Sequence, residues 1–414
     1  MIYTVAYSSE TPIKGQIQLD GSKSISNRLL MLSASAATPF QIENLGTSDD
    51  VALMQKFVHA FPDFESFHVH NAGTVTRFVT AFLANEPGTW ELQCDPPMKK
   101  RPIKLLVDAL REIGATIHYL EEDDYLPLKI EGQVLTGNYV SIPADISSQY
   151  ISALMMIGPS MPNGITIHLE GEIASKPYID ITVKAMEQCG AKVTFEGQEI
   201  QVQPAELTAE SVFNESDWSA AAFYYALVAL QPNSSMALSK LLPPAASTQG
   251  DAAVVDVFKP LGVQSKFNGK TVELSQSIPA QSSVQFDFFD KPDMVPAVAV
   301  TCAALGIPAT FTGVKNLVIK ESNRLVAVQT ELAKVDVHFF EVTKDEWKLE
   351  GQINASAITE VTFDTYEDHR IAMAFATLAA KYPQVNIHEP HVVSKSYPAY
   401  WDDLASIGFD IREM

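Results

Sequence analysis

The feature that most constrains this chain is a pattern that recurs six times along its 414 residues. Apolar, Ala-rich helical stretches lie around Ala34, Ala81, Ala153, Ala226, Ala303 and Ala379. Each gives way to a turn rich in Pro, Gly or Asn (TPF, EPGT, MPNG, QPNSS, LGIPA, KYPQ), then a short β-branched run, a polar loop and a second helix. The loops carry SDD at Ser48, KKRP ending at Pro102, SKPY at Ser175, STQGD at Ser247, KESNR at Lys320 and KSYP at Lys395.

Beyond the second loop the spacing is roughly 70 to 75 residues, longer than a solenoid period, so each unit is a block of strands and helices. Four of the second helices end alike, in EIGATIHYL, QCGAKVTFE, PLGVQSKFN and AKVDVHFFE, each followed by a turn and another alternating strand. That pattern predicts a helix C-cap feeding a hairpin. The first interval is only about 50 residues, which fits a unit missing its hairpin between Val58 and His70. Six α/β blocks divide into two domains of three. The polar loops run from strand into helix, where backbone N–H groups add to side-chain cations in gripping phosphate or carboxylate.

Charge narrows the partner. The chain has 29 basic and 50 acidic residues, a net charge of -21, so nucleic acid and anionic membrane would repel it. Yet its cations gather in the connecting loops, at Lys23, Arg28, Arg77, Arg101, Lys176, Lys320, Arg324, Arg370 and Lys395. An acidic protein arranged in this way is expected to hold a small anion. Cys94, Cys189 and Cys302 are too few and too scattered for a disulfide framework or a Cys-rich zinc site. The N-terminus MIYTVAYSSE has no signal-peptide pattern, and no apolar run reaches the length of about 18 residues that a membrane span needs. A soluble, cytoplasmic protein is expected.

Several constellations combine an ordinary structural role with a chemical one. LDGSKSISNRLLML sets Lys23, Ser24, Ser26 and Arg28 at a helix start; it lacks the Walker spacing, so it reads as a solvated cap or an anion site and not as a nucleotide-hydrolysing loop. In HNAGTVTRF, Gly73 would let a backbone approach a ligand closely, with Arg77 one turn on. ADISSQYISALMM puts Ser147, Ser148 and Gln149 before an apolar helix, as an N-cap and as a neutral hydrogen-bonding set for a polyhydroxylated ligand. VIKESNRL holds Lys320, Glu321 and Arg324, and TYEDHRIAM holds Asp368, His369 and Arg370. With Lys395 these supply four cations and several proton-transfer groups. Like charges about 4 Å apart repel by roughly 4 kcal/mol at an effective dielectric near 20, so the empty site is expected to stay open until anions draw the two domains together.

The segments GSKSISNR, NAGT, KRPI, SSQY, SKPYIDIT, STQGD, KESNRL, DHRIAM and KSYP, taken in order, resemble the 3-phosphoshikimate 1-carboxyvinyltransferase (5-enolpyruvylshikimate-3-phosphate synthase) family across essentially the whole chain. The resemblance implies an α/β fold of the two-domain inside-out barrel type. Each domain has three βαβαββ repeats, here with the first truncated, and two crossovers join the domains. One domain spans residues 20–214; the other combines 1–19 with 215–414. The active site lies in the cleft between them.

The implied reaction transfers the enolpyruvyl group of phosphoenolpyruvate to the 5-hydroxyl of shikimate 3-phosphate by addition and elimination, with no metal or organic cofactor, in a monomer. Resemblance casts Glu321 as principal acid/base and Asp293 as the residue that holds or deprotonates the attacking hydroxyl, with Lys23 and His369 as further catalytic positions. Phosphoenolpyruvate would meet Lys23, Gly73, Arg101, Gln149, Arg324, Arg370 and Lys395. Shikimate 3-phosphate would meet Lys23, Ser24, Arg28, Ser147, Ser148, Gln149, Ser175, Tyr178, Asp293, Asn316 and Lys320.

The chain departs from the family pattern at Pro97 and Val318, where Arg is usual, at Phe78, where Pro is frequent, and at Asn323, where Asp is customary. Two alternatives accompany this reading. One is the sibling transferase that uses a UDP-linked amino sugar, UDP-N-acetylglucosamine; the other is a catalytically silent anion-binding homologue.

Overall fold

The computed structural model describes every residue except Ser9, Ile146, Ala280, Thr359 and Glu360, and every described side chain except that of Ile319. The chain divides into two compact units, Gly21–Asn214 and a second made of Met1–Asp20 with Glu215–Met414. Among the described residues there are six sheets, five of four strands and one of two.

In the Gly21–Asn214 unit, strands Ser66–His68, Gly88–Gln93, Leu128–Gly132 and Thr116–Tyr119 lie side by side in that order. The first two are parallel and flank the helix Gly73–Asn85, while the last two form the antiparallel hairpin expected after the helix Lys104–Glu112. The same order of strands recurs in Tyr139–Pro143, Ile165–Glu170, Glu199–Val202 and Val193–Glu196. The third sheet is only Gln41–Glu43 beside Ser211–Phe213, the truncated repeat that the short first interval predicts.

The other unit has three complete sheets. In one, Lys14–Gln18 pairs in parallel with Ser235–Ser239, a strand more than 200 residues away in sequence. In another, the N-terminal strand Ile2–Ala6 sits between Val385–His388 and Asp410–Glu413 and pairs antiparallel with both. The chain's first strand thereby completes its last repeat.

Helices fill the interior of each unit. Lys23–Ser35, Gly73–Asn85 and Ser148–Ile157 pack on one another, and Val295–Leu305 packs against both Trp218–Leu230 and His369–Ala376. These are the Ala-rich stretches of the sequence, and their composition explains their place. Trp218–Leu230 is buried at every position but Ser219, and Gly73–Asn85 at every position but Thr74; a helix without a polar face belongs inside. The second helices are two-sided: Lys104–Glu112 buries Leu106, Val107, Ala109 and Leu110 and turns its charges outward.

Where the first repeat lacks its hairpin, aromatic side chains close the core. Phe57, with 0% exposure, has ring centroids 5.7 Å from Phe64, 5.3 Å from Phe67 and 5.7 Å from Phe82. Among the described residues no helix is long and apolar enough to cross a membrane.

Candidate active site

Each unit carries its own cluster of polar residues at the N-terminal ends of its helices. In the unit that contains Glu215–Met414, the centre is Arg324, the first residue of the helix Arg324–Ala333 and only 1% exposed. Its Nε donates to Asp368 Oδ2 at 2.8 Å, its Nη1 to Asp293 Oδ1 at 2.7 Å and its Nη2 to Glu321 Oε2 at 2.8 Å. Arg370 Nη2 donates to the second oxygen of Asp293 at 2.8 Å. One carboxylate is thus held between two guanidiniums, and one guanidinium among three carboxylates.

Local structure explains the placement. Asp368 caps the helix His369–Ala376 by accepting from the Arg370 backbone N–H at 3.0 Å, so it is oriented before it meets Arg324. Asn323 caps Arg324–Ala333 by accepting from Val326 N at 3.3 Å, which is the task an Asp would perform there, without the charge. Asp293 lies in the short 3-10 turn Pro292–Met294 that opens Val295–Leu305.

The electrostatics follow. Burial opposes ionisation of Asp293, but Arg370, Arg324 and Lys320 outweigh it and hold its carboxyl well below the usual range. Burial lowers the pKa of Lys320; Asp293 and Glu321 resist that shift while Arg324 and Arg370 add to it. Arg324 moves the other way, because Asp368, Glu321 and Asp293 overcome its burial and raise it well above its ordinary value. Inside this unit the repulsion among Lys320, Arg324 and Arg370 is offset by Asp293, Glu321 and Asp368.

The sequence reading missed Asp251, in the STQGD loop. This carboxyl is 3% exposed, accepts from Ser219 Oγ, and is pushed up to about 6 by burial and by Asp293, against the pull of Arg370. The repetition of that loop in register with the other five was the available signal. His369 is 1% exposed, with Nδ1 3.8 Å from Asp368 Oδ1. Asn316 lies in the 3-10 turn Lys315–Ile319 and is half-buried. Lys395, also half-buried, ends the turn Pro390–Lys395, which packs on His369–Ala376.

In the Gly21–Asn214 unit, Gly73 begins its helix directly beneath two guanidiniums. A Cβ built there would lie 2.8 Å from Arg101 Nη2, 2.9 Å from Arg101 Nη1 and 2.9 Å from Arg77 Nη1. Arg77 is anchored, donating to the Gly73 carbonyl at 3.1 Å and to the Pro102 carbonyl at 3.1 Å. Arg101 Nη1 is buried with no hydrogen-bond partner among the described residues. Gln149 Nε2 donates to Thr74 Oγ1 at 3.1 Å, joining the start of Ser148–Ile157 to the start of Gly73–Asn85. Ser147 caps its helix by accepting from Gln149 N at 3.4 Å, and Ser148 is the first residue of that helix.

Lys23 Nζ lies 3.7 Å from Asp50 Oδ2. Arg28 is buried, and its donors reach Thr182 Oγ1 at 2.6 Å, the Ser24 carbonyl at 2.7 Å, Ser152 Oγ at 3.0 Å and the Tyr178 carbonyl at 3.1 Å. Its guanidinium also stands 5.2 Å from the centre of the Phe78 ring, so the departure at Phe78 supplies a cation–π partner. Ser175 precedes its helix in the left-handed region at φ 56°. Lys176 turns aside to Asp180 at 2.6 Å. Pro97 leads the turn Met98–Lys100 at φ -63°, a backbone angle that proline favours.

The first cluster, carboxylates locked to guanidiniums, suits proton transfer, and the second, helix N-termini beside cations, suits anionic groups. A family profile described as EPSP synthase (3-phosphoshikimate 1-carboxyvinyltransferase) matches residues 8–66 and 62–404. A Bacteroides fragilis protein named 3-phosphoshikimate 1-carboxyvinyltransferase is 41% identical over 406 residues, covering 98% of each chain. A Sulfurovum relative with the same name is 35% identical over 425 residues, covering 95% of this chain and 97% of its own.

Among solved structures, EPSP synthase from Acinetobacter baumannii superposes with a TM-score of 0.80 at 20% identity over all of both chains. The enolpyruvyl transferase NikO from Streptomyces tendae does so at 0.76 and 15% identity, covering all of this chain and 98% of its own. These likenesses bear on the fold, a two-domain α/β architecture of six repeats. From the profile and the relatives of high identity, the chain belongs to the EPSP synthase (3-phosphoshikimate 1-carboxyvinyltransferase) family.

Proposed function

We propose that this protein transfers the enolpyruvyl group of phosphoenolpyruvate to the 5-hydroxyl of shikimate 3-phosphate and releases phosphate. The observation that carries the reading is the buried array in which Arg324 holds Asp293, Glu321 and Asp368 together. A protein that only captured anions would gain nothing from three carboxylates at its cations.

The residues divide the work. Asp293, kept ionised by Arg324 and Arg370, is a weak base but a strong hydrogen-bond acceptor, suited to orienting the 5-hydroxyl. Glu321 gives a proton to the methylene carbon of phosphoenolpyruvate as the hydroxyl oxygen attacks its neighbour; the hydroxyl's own proton passes to the phosphate group, which leaves as hydrogen phosphate when the tetrahedral intermediate breaks down, and Glu321 recovers a proton from the methyl group as the double bond re-forms. For that exchange its bond to Arg324 has to loosen, and bound substrate anions that draw the guanidinium toward themselves provide the means. Lys320, with its pKa lowered chiefly by burial, exchanges protons more readily than an ordinary lysine.

On the Gly21–Asn214 unit, Lys23, Gly73, Arg101 and Gln149 receive phosphoenolpyruvate, and Ser24, Arg28, Ser147, Ser148, Ser175 and Tyr178 receive shikimate phosphate. Arg370, Lys395, Asn316 and His369 of the other unit complete the set of residues assigned to the two substrates. The reading places the protein in the cytoplasm as a monomer.

The test is phosphate release with phosphoenolpyruvate and, in separate reactions, shikimate 3-phosphate or UDP-N-acetylglucosamine. Release with the first acceptor alone is expected. Release with the second alone moves the assignment to the sibling reaction, and silence with both in a folded sample refutes the proposal. Glu321→Gln is expected to lower turnover by about 10²- to 10⁴-fold, the usual contribution of acid/base catalysis; near-normal turnover removes Glu321 from that role.

A further inference from the structure

Outside these clusters, one group of side chains has no part in the reaction: His68, His70 and Asp95. The parallel pairing of Ser66–His68 with Gly88–Gln93 continues past the strand ends, through Val69 N to the Gln93 carbonyl at 2.8 Å and Asp95 N to the His70 carbonyl at 3.3 Å. That register sets Asp95 beside both histidines. His68 ends the strand and His70 lies just beyond it in the left-handed region at φ 49°, and their ring centroids are 4.5 Å apart.

We propose that these three residues form a binding site for a divalent first-row transition ion of the zinc class. One ligand atom from each lies within 4.8 Å of the others. His68 Nε2 stands 3.6 Å from Asp95 Oδ1, and His70 Nδ1 stands 3.4 Å from Asp95 Oδ2. Bonds of about 2.0–2.2 Å to a tetrahedral ion put neighbouring ligand atoms roughly 3.4 Å apart, so the two His–Asp distances are close to that span, and the widest separation in the set, within 4.8 Å, has to shorten by at most about 1.4 Å. Two imidazoles and a carboxylate suit zinc, cobalt or nickel, and are a poor set for magnesium, which favours oxygen.

The rings are 45% and 57% exposed and the carboxylate 42%, so an ion can enter from solvent and keep water in its remaining positions. The His70 backbone N–H donates to His68 Nδ1 at 3.2 Å. Binding the ion through Nε2 moves the neutral ring's proton to Nδ1, which releases that exposed amide to water and leaves the Nε2 lone pair to the ion. The ion would tie together two segments that the reaction uses, since His70 precedes Asn71–Ala72–Gly73 and the Asp95 carbonyl accepts from Met98 N at 3.0 Å in the turn leading to Arg101.

The test is titration of the purified, metal-stripped protein with Zn²⁺ by calorimetry, with Co²⁺ absorption as the second readout. The expected result is one ion per chain, a tetrahedral or five-coordinate Co²⁺ spectrum, and affinity at least about tenfold weaker in both His68→Ala and Asp95→Asn. Mg²⁺ should not compete. The proposal fails if wild-type protein gives no binding isotherm, or if His68→Ala, His70→Ala and Asp95→Asn, confirmed as folded by circular dichroism, bind Zn²⁺ as tightly as wild type.

Discussion

Gly73 and Asp251 illustrate what single residues decide. A methyl group at position 73 would sit under 3 Å from the Arg101 and Arg77 guanidiniums, so Arg101, the less anchored of the two, must move. Gly73→Ala is expected to raise KM for phosphoenolpyruvate by about tenfold to a hundredfold while changing KM for shikimate 3-phosphate little, as misplacing one binding group does; steady-state kinetics with each substrate varied will show it.

Asp251 has a folded-state carboxyl raised to about 6. The folded protein therefore binds its proton more tightly than the unfolded chain, and stability falls as pH rises from the ordinary carboxyl range of about 4 through 6. Asp251→Asn removes that penalty. The variant's advantage over wild type should grow between pH 4.5 and pH 8, by an upper bound of about 2 kcal/mol, read from denaturant midpoints at the two pH values. The sequence exposed the cations of the site because they stand out in an acidic chain. It did not expose the grip of Arg324 on three carboxylates, since Asp293 and Arg324 are 31 residues apart and only tertiary structure joins them.

Among the secondary elements, the inner helices and the four hairpins were legible because their signals are local: Ala-rich apolar runs, and a turn before period-two alternation. The truncated first repeat was legible as a short interval. How the core closes there was not, because no periodicity says that Phe57 will meet Phe64, Phe67 and Phe82. Phe57→Ala is expected to cost about 3–5 kcal/mol, measured by chemical denaturation, with the KM values of the folded enzyme unchanged, since none of the residues assigned to substrates touches this cluster in the ring contacts described. Pairings between distant strands were equally hidden. A strand's register is written in its own alternation, but its neighbour is not.

At the scale of the whole molecule, the chain's first strand is an interior strand of its last sheet. Removing residues 1–6 would strip Val5, with 0% exposure, from the core and leave Asp410–Glu413 without its partner. Domains of ordinary stability have about 5–15 kcal/mol to lose, and this deletion is expected to consume most of it, seen as a collapse of the thermal transition.

The parallel pairing of Lys14–Gln18 with Ser235–Ser239 has a further consequence during synthesis on the ribosome. The opening segment leaves the exit tunnel long before Ser235–Ser239 or the two strands that flank Ile2–Ala6 have been made, and residues 21–214 emerge in the meantime. At about 5–20 residues per second, that segment waits for at least about ten seconds with Ile13 and Ile17 uncovered, while the inserted unit has all of its own strands to hand. Birth order therefore favours the middle of the chain over its beginning, and the nascent protein depends on its final strands to shelter its first.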